Sequence, residues 1–137
     1  MIKDEFVHLH NHTDVGSALD GFGKLDEYLK RAKHLGQTGF GVTDHGTTNG
    51  IFTLIEKARQ MDLTPVPGCE FYVAPQNPEG AKATYPVFYG PNGQKSAEFD
   101  VSANGAYTHQ TIWAYNDEGL RNLFKLSTLS NDPERFY

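Results

Sequence analysis

One cysteine, Cys69, stands in the 137 residues. A lone cysteine excludes an intrachain disulfide and any CxxC zinc site, and it fits a reducing cytoplasm. Basic residues are also short: 12 Lys and Arg against 17 Asp and Glu give a formal charge of -5. Nucleic acid held by phosphate neutralisation alone needs the opposite balance, so that mode of binding is excluded. Bound metal ions could still supply the missing positive charge. No apolar run approaches 18 residues, and no signal peptide or lipidation motif is present, so the expectation is a soluble intracellular protein with no membrane partner. A 38% hydrophobic share supports one folded domain.

Against those absences, histidine is concentrated at the start. His8, His10 and His12 alternate within Phe6-Val7-His8-Leu9-His10-Asn11-His12-Thr13. Apolar Phe6, Val7 and Leu9 predict a β-strand, which puts alternate side chains on one face. Imidazoles at i and i+2 on a strand lie roughly 6–7 Å apart, a spacing that suits one metal ion or two adjacent ones.

A Gly-rich loop with carboxylates at Asp14 and Asp20 follows. Leu25, Tyr28, Leu29, Ala32 and Leu35 then recur at helical spacing, with acidic residues in the first turn, basic ones in the last and Gly36 as a stop. That predicts a helix over 24–35, with His34 a solvated helix residue. Gly39 to Thr43 is a short apolar strand that exits into Asp44-His45-Gly46. A helix over about 50–61 would bury Ile51, Leu54, Ile55, Ala58 and Met61. Val66 to Pro75 forms a third strand region with Glu70 among apolar residues, where an unpaired carboxylate would be costly. Alternating strands and helices of this kind are the pattern of an α/β fold with a parallel sheet.

From Gln76 to Tyr107 the pattern gives way to a weak hairpin or flexible insertion around Gly90-Pro91-Asn92-Gly93. His109 to Tyr115 restores strand character. Asp117 is then the expected N-cap of a helix burying Leu120, Leu123, Phe124 and Leu126 or Ser127. His10, His12, Asp20, His45, Glu70 and His109 all fall at strand ends or the loops beside them. Nitrogen and carboxylate donors without thiolate suit Zn, Mn or Fe, and more than four candidates imply more than one ion.

The ordered set His10-Asn11-His12-Thr13, Thr43-Asp44-His45-Gly46 and Gly68-Cys69-Glu70-Phe71-Tyr72-Val73-Ala74-Pro75 resembles the first motifs of the PHP (polymerase and histidinol phosphatase) superfamily. More narrowly it resembles the N-terminal PHP domain of bacterial DNA polymerase III alpha subunits of actinobacterial type, a match strengthened by Gly105 to His109 and Asn116 to Leu126. The resemblance implies that 1–137 is the first half of a distorted β/α (TIM-like) PHP barrel. It implies a cluster of two to three divalent metal ions, with His10, His12, Asp20, His45, Glu70 and His109 as metal ligands. Asp14 is the rival to Asp20, because the loop is one residue longer than the family pattern. Asp44 is expected to orient a ligand, and Asp44 or His109 could shuttle protons; His8 and Cys69 carry no catalytic role.

The implied activity is metal-dependent phosphoester hydrolysis as 3′–5′ exonuclease proofreading at a DNA primer terminus. The implied partners are the remaining polymerase chain and the replisome subunits. The family's later ligands, a Cys or His and an Asp-x-His pair, would lie beyond Tyr137, so the isolated chain is expected to show little or no catalysis. Two other readings stay open: a non-catalytic PHP remnant acting as an interaction module, and a small-molecule phosphatase of the histidinol-phosphatase kind.

Overall fold

The computed structural model describes residues 6–19, 21–73 and 108–131. The elements in order are α1 (Leu25–His34), β1 (Gly39–Val42), α2 (Ile51–Gln60), β2 (Thr64–Val73), β3 (Thr108–Trp113) and α3 (Asp117–Ser130). The chain divides into two compact units, one made of 1–71 with 110–136 and the other of 72–109 with Tyr137.

In the larger unit, α1 turns one apolar stripe inward, and Leu25, Leu29 and Ala32 are buried on it. Its end is set by Gly36, whose φ of 72° is open to glycine at little cost. There Gln37 N–H donates to Ala32 O at 3.0 Å and Gly36 N–H to Lys33 O at 3.0 Å, which satisfies carbonyls left over at the helix end. α2 ends by the same device with Asp62 at φ 54°, and Leu63 N–H returns to Ala58 O at 2.9 Å. Leu63 is thereby tucked into the core, and Asp62 itself stays exposed. The predicted helix over 24–35 and the one over 50–61 are therefore both present, each shorter by a residue at either end.

Strands β1 and β2 pair in parallel, from Gly39 opposite Thr64 to Val42 opposite Pro67, with α2 as the crossover between them. The sheet order is β1-β2-β3. Prolines at 65 and 67 are compatible with a middle strand because alternate residues direct their backbone groups to the same edge. Both missing N–H groups fall on the side away from β1, where Pro67 O accepts from Ala114 N–H at 2.8 Å. One core cluster joins Leu25, Leu29, Ala32, Phe40, Val42, Leu54, Ala58 and Leu63. A second joins Ile51, Cys69, Phe71 and Leu123.

Two expectations are corrected here. The N-cap of α3 is Asn116, whose side chain accepts from Gly119 N–H at 2.8 Å; Asp117 is the first helical residue, where its charge still faces the positive end of the helix. Of the expected apolar face only Leu123 is buried, while Phe124 and Leu126 are about two-fifths exposed. The hairpin expected over 76–107 lies outside the described residues.

Candidate metal centre

The segment 6–13 is extended but is not a regular strand, which corrects the expectation for it. It runs beside β1, where Gly41 N–H donates to His8 O at 2.8 Å and Thr43 N–H to Asn11 O at 2.9 Å. Between these bonds the β1 side advances two residues and the segment three, an insertion of the bulge kind that breaks regular pairing. The acceptor left over, Gly41 O, is satisfied by the Asn11 side-chain amide at 2.9 Å. A side chain at position 41 would bring its Cβ within 2.8 Å of the Leu9 backbone, so the close approach needs glycine. Trp113 closes the other side by donating its indole N–H to Leu9 O at 3.0 Å.

The irregular path separates the three histidines. His8 meets the Phe6 ring edge-on at 4.7 Å. His10 and His12 instead turn toward Glu70, their Nε2 atoms 2.5 Å and 3.3 Å from Glu70 Oε2. His45 adds a third imidazole, with Nδ1 3.7 Å from Glu70 Oε1 and its ring stacked on His12 at 4.2 Å and 5°.

Backbone pairing explains why Glu70 and His45 meet. They form a parallel bridge beyond β1, in which Glu70 N–H donates to Asp44 O at 3.0 Å and Gly46 N–H to Glu70 O at 2.8 Å. The Glu70 side chain is only 4% exposed. A carboxylate that far from water must be met by hydrogen-bond donors or by positive charge, and the imidazoles beside it or a bound cation can supply them. Three imidazole nitrogens converging on one buried carboxylate are a donor set that fits a divalent cation, and the ligand atoms of His10, His12 and Glu70 all lie within 4.8 Å of one another.

Beneath the histidines lies a second buried carboxylate. Asp44 is 1% exposed. It accepts from Thr13 N–H at 2.6 Å and Thr13 Oγ1 at 2.9 Å, and from Ser17 Oγ at 3.0 Å. Gly16 leaves room for it, since a Cβ there would collide with the carboxylate. Asp44 therefore fastens the loop carrying His12 to the strand exit carrying His45. Thr13 and Ser17 have no metal-ligand chemistry to mark them in the sequence; the only hint is their place in the loop after the histidines.

Of the remaining sequence candidates, Asp20 lies outside the described residues. Asp14, its rival, is exposed on the loop, where its N–H donates to Gly23 O at 3.1 Å. His109 is on β3 in the smaller unit, where its ring meets Tyr72 edge-on at 4.9 Å. His34 is exposed on α1, as expected.

Cys69 is fully buried beside Asp44, its Sγ 3.5 Å from Asp44 O. Burial, and next the Asp44 charge, push its thiol from an ordinary 9.0 up to about 12. The thiolate is the reactive form, so alkylation at neutral pH is expected to proceed only as fast as the chain unfolds, measured by thiol labelling with and without denaturant. Between the two values the unfolded chain holds fewer protons than the folded one. Stability is therefore expected to fall as pH rises above 9.0 and to stop falling near 12. A Cys69→Ala chain should lose that slope in urea titrations.

The sequence pattern of the PHP domain family matches residues 8–137. DNA polymerase III subunit alpha of Mycobacterium tuberculosis is 43% identical over 124 residues, covering 90% of this chain and 10% of that protein. The subunit of the same name from Aquifex aeolicus is 36% identical over 138 residues, covering 100% of this chain and 10% of that protein. This chain thus spans about a tenth of the length of the curated relatives it matches. A crystal structure from Bifidobacterium adolescentis, provisionally described as a metal-dependent phosphoesterase, superposes with a TM-score of 0.45 at 28% identity, covering 50% of this chain and 23% of that one. Among the described residues no helix is long and apolar enough to cross a membrane.

Proposed function

The chain belongs to the PHP domain family, and on that premise we propose that residues 1–137 form the N-terminal portion of the PHP domain of a replicative DNA polymerase alpha subunit and carry a metal centre for phosphoester hydrolysis. The observation that carries this reading is the convergence of His10, His12 and His45 on the buried carboxylate of Glu70. These four residues would hold the first ions, and Asp20 and His109 would add ligands by their motif positions. Two to three divalent ions, Zn, Mn or Fe, suit that nitrogen and carboxylate set. When bound, such ions supply a Lewis acid for a phosphate ester and positive charge where the chain has few basic groups.

The protein's own part is to fix the donors. Glu70 is held by two backbone hydrogen bonds to the 44–46 segment, and Asp44 ties the His12 loop to the His45 strand exit. The proposed substrate is the 3′-terminal phosphodiester of a mispaired primer, and the proposed partners are the rest of the polymerase chain and replisome subunits.

The test uses the longer polymerase chain with His10→Ala and His12→Ala together. Release of the 3′ nucleotide from a mispaired primer is expected to fall roughly a hundredfold or more, since even residues that only orient ligands matter by 10–100-fold. Polymerisation on a matched primer should survive. Equal exonuclease rates would sink the reading in favour of a non-catalytic module, and turnover of a small phosphomonoester by this chain would favour a phosphatase.

A further inference from the structure

Between His12 and α1 the chain forms a loop that is held tightly at its root. Asp44 accepts both the N–H and the hydroxyl of Thr13, Ser17 N–H donates to Thr13 O at 2.9 Å, and Asp14 N–H donates to Gly23 O at 3.1 Å. Gly21 is buried, and a Cβ there would meet Thr13 O at 2.5 Å; a Cβ at Gly23 would strike the Tyr28 ring. Phe22 is thus seated by both of its neighbours, yet it is 87% exposed and lies outside both core clusters. Leu19 on the same loop is 96% exposed. Single exposed apolar residues are ordinary. A ring fixed through its backbone and held out in water is different, because it offers an open aromatic face at little ordering cost.

Two observations say what that face suits. One Cα step from Gly21 places the Phe22 Cα within about 10 Å of the Thr13 Cα, and Thr13 follows His12, whose Nε2 is 3.3 Å from Glu70 Oε2. Residues 14–23 contain no Lys or Arg and include Asp14 and Asp20. The loop therefore repels a phosphate backbone and suits only the uncharged part of a nucleotide. Stacking of a base on an aromatic ring needs no charge and accepts any base.

We propose that Phe22 stacks on the unpaired terminal base of a single-stranded nucleic-acid end whose phosphate lies at the His10, His12 and Glu70 centre, an inference that rests on the function proposed above. The centre takes the charged part of the nucleotide and the loop takes the flat part. A base inside a duplex is already stacked and paired, so its face is closed to the ring. Phe22 thereby favours ends that have come unpaired.

The test is titration calorimetry of this chain, with zinc, against a short single-stranded oligonucleotide and against the same oligonucleotide lacking its 3′-terminal base. The unaltered chain is expected to bind the abasic form roughly 5–150-fold more weakly, the range that one stacked base commands. Phe22→Ala should bind the complete oligonucleotide more weakly by a similar factor and should no longer distinguish the two, the coupling expected of a direct contact. Phe22→Trp should restore the discrimination. Because the ring is exposed, Phe22→Ala should leave the melting temperature unchanged. Equal binding of the two oligonucleotides by the unaltered chain, binding of neither, or discrimination that survives in Phe22→Ala would overturn the proposal. A molecular mass that halves in Phe22→Ala would give the loop to a second copy of this chain and overturn it as well. Failure of the hydrolytic reading is seen separately: discrimination that follows Phe22 in this chain, with no nucleotide released by the longer polymerase chain, keeps the stacking role and removes the hydrolysis.

Discussion

Glu70→Gln is expected to weaken binding of zinc or manganese by at least about a hundredfold, while leaving the metal-free fold nearly as stable as before. The substitution keeps the shape and one acceptor oxygen but removes the charge on which three imidazoles converge. A hundredfold corresponds to about 2.7 kcal/mol of binding free energy. That figure is a lower bound, because groups that merely orient a metal ligand already contribute 10–100-fold. The fold should tolerate the change because Glu70 is anchored through its backbone, to Asp44 O and from Gly46 N–H, and those bonds do not involve the carboxylate. Replacing a buried charge by a neutral group of equal volume also relieves desolvation. Titration calorimetry and thermal melting of the metal-free chains separate the two effects. Unchanged affinity would remove Glu70 from the centre, and a large drop in melting temperature without metal would make its role structural.

Asp44→Ala should do the reverse and cost the fold first. Three donors aim at this carboxylate: Thr13 N–H, Thr13 Oγ1 and Ser17 Oγ. Each buried donor stripped of its acceptor loses roughly 1–3 kcal/mol, so the sum is expected near 3–5 kcal/mol after partial rehydration. Domains of this size have about 5–15 kcal/mol of stability in all. Urea denaturation should therefore show a midpoint far below that of the unaltered chain, with metal affinity falling too as the loop at 13–17 loosens. A loss under about 1 kcal/mol would show that the hydroxyls find other acceptors and that Asp44 is not what fastens the loop.

The two variants separate roles that the sequence presents alike. Asp44 follows β1 and Glu70 lies within β2, and both acidic residues are buried. One faces a loop of hydroxyls and amides; the other faces imidazoles. In the proposed centre, chemistry toward a metal would come from Glu70, and the rigidity that chemistry requires would come from Asp44.

Much of this molecule was legible in its residues because the signals are local. Helical spacing of Leu25, Leu29 and Ala32, and of Ile51, Leu54 and Ala58, reports a buried face directly, and Gly36 marks a helix end through its backbone freedom. His10, His12, His45 and Glu70 stood out because imidazole and carboxylate are the donors a metal uses and because they follow short apolar runs. The strand expected at 6–13 failed for a reason no periodicity records: one extra residue against β1, compensated by the Asn11 amide on Gly41 O. The N-cap at Asn116 was missed because Asn and Asp at adjacent positions carry the same local preference, and only the bond to Gly119 chooses between them.

By itself, then, the sequence determined the α/β alternation, the inward faces of α1 and α2 and the placing of imidazole and carboxylate side chains near strand ends, each fixed by side-chain type and near-neighbour spacing. Only the tertiary structure decided that His8 stands apart from His10 and His12, that Asp44 faces the Thr13 and Ser17 hydroxyls, and that Ser17 stands between Asp44 and His12. Those outcomes depend on contacts between residues distant along the chain, such as position 10 with position 70 and position 13 with position 44. Neither can be read from the order of residues along the chain.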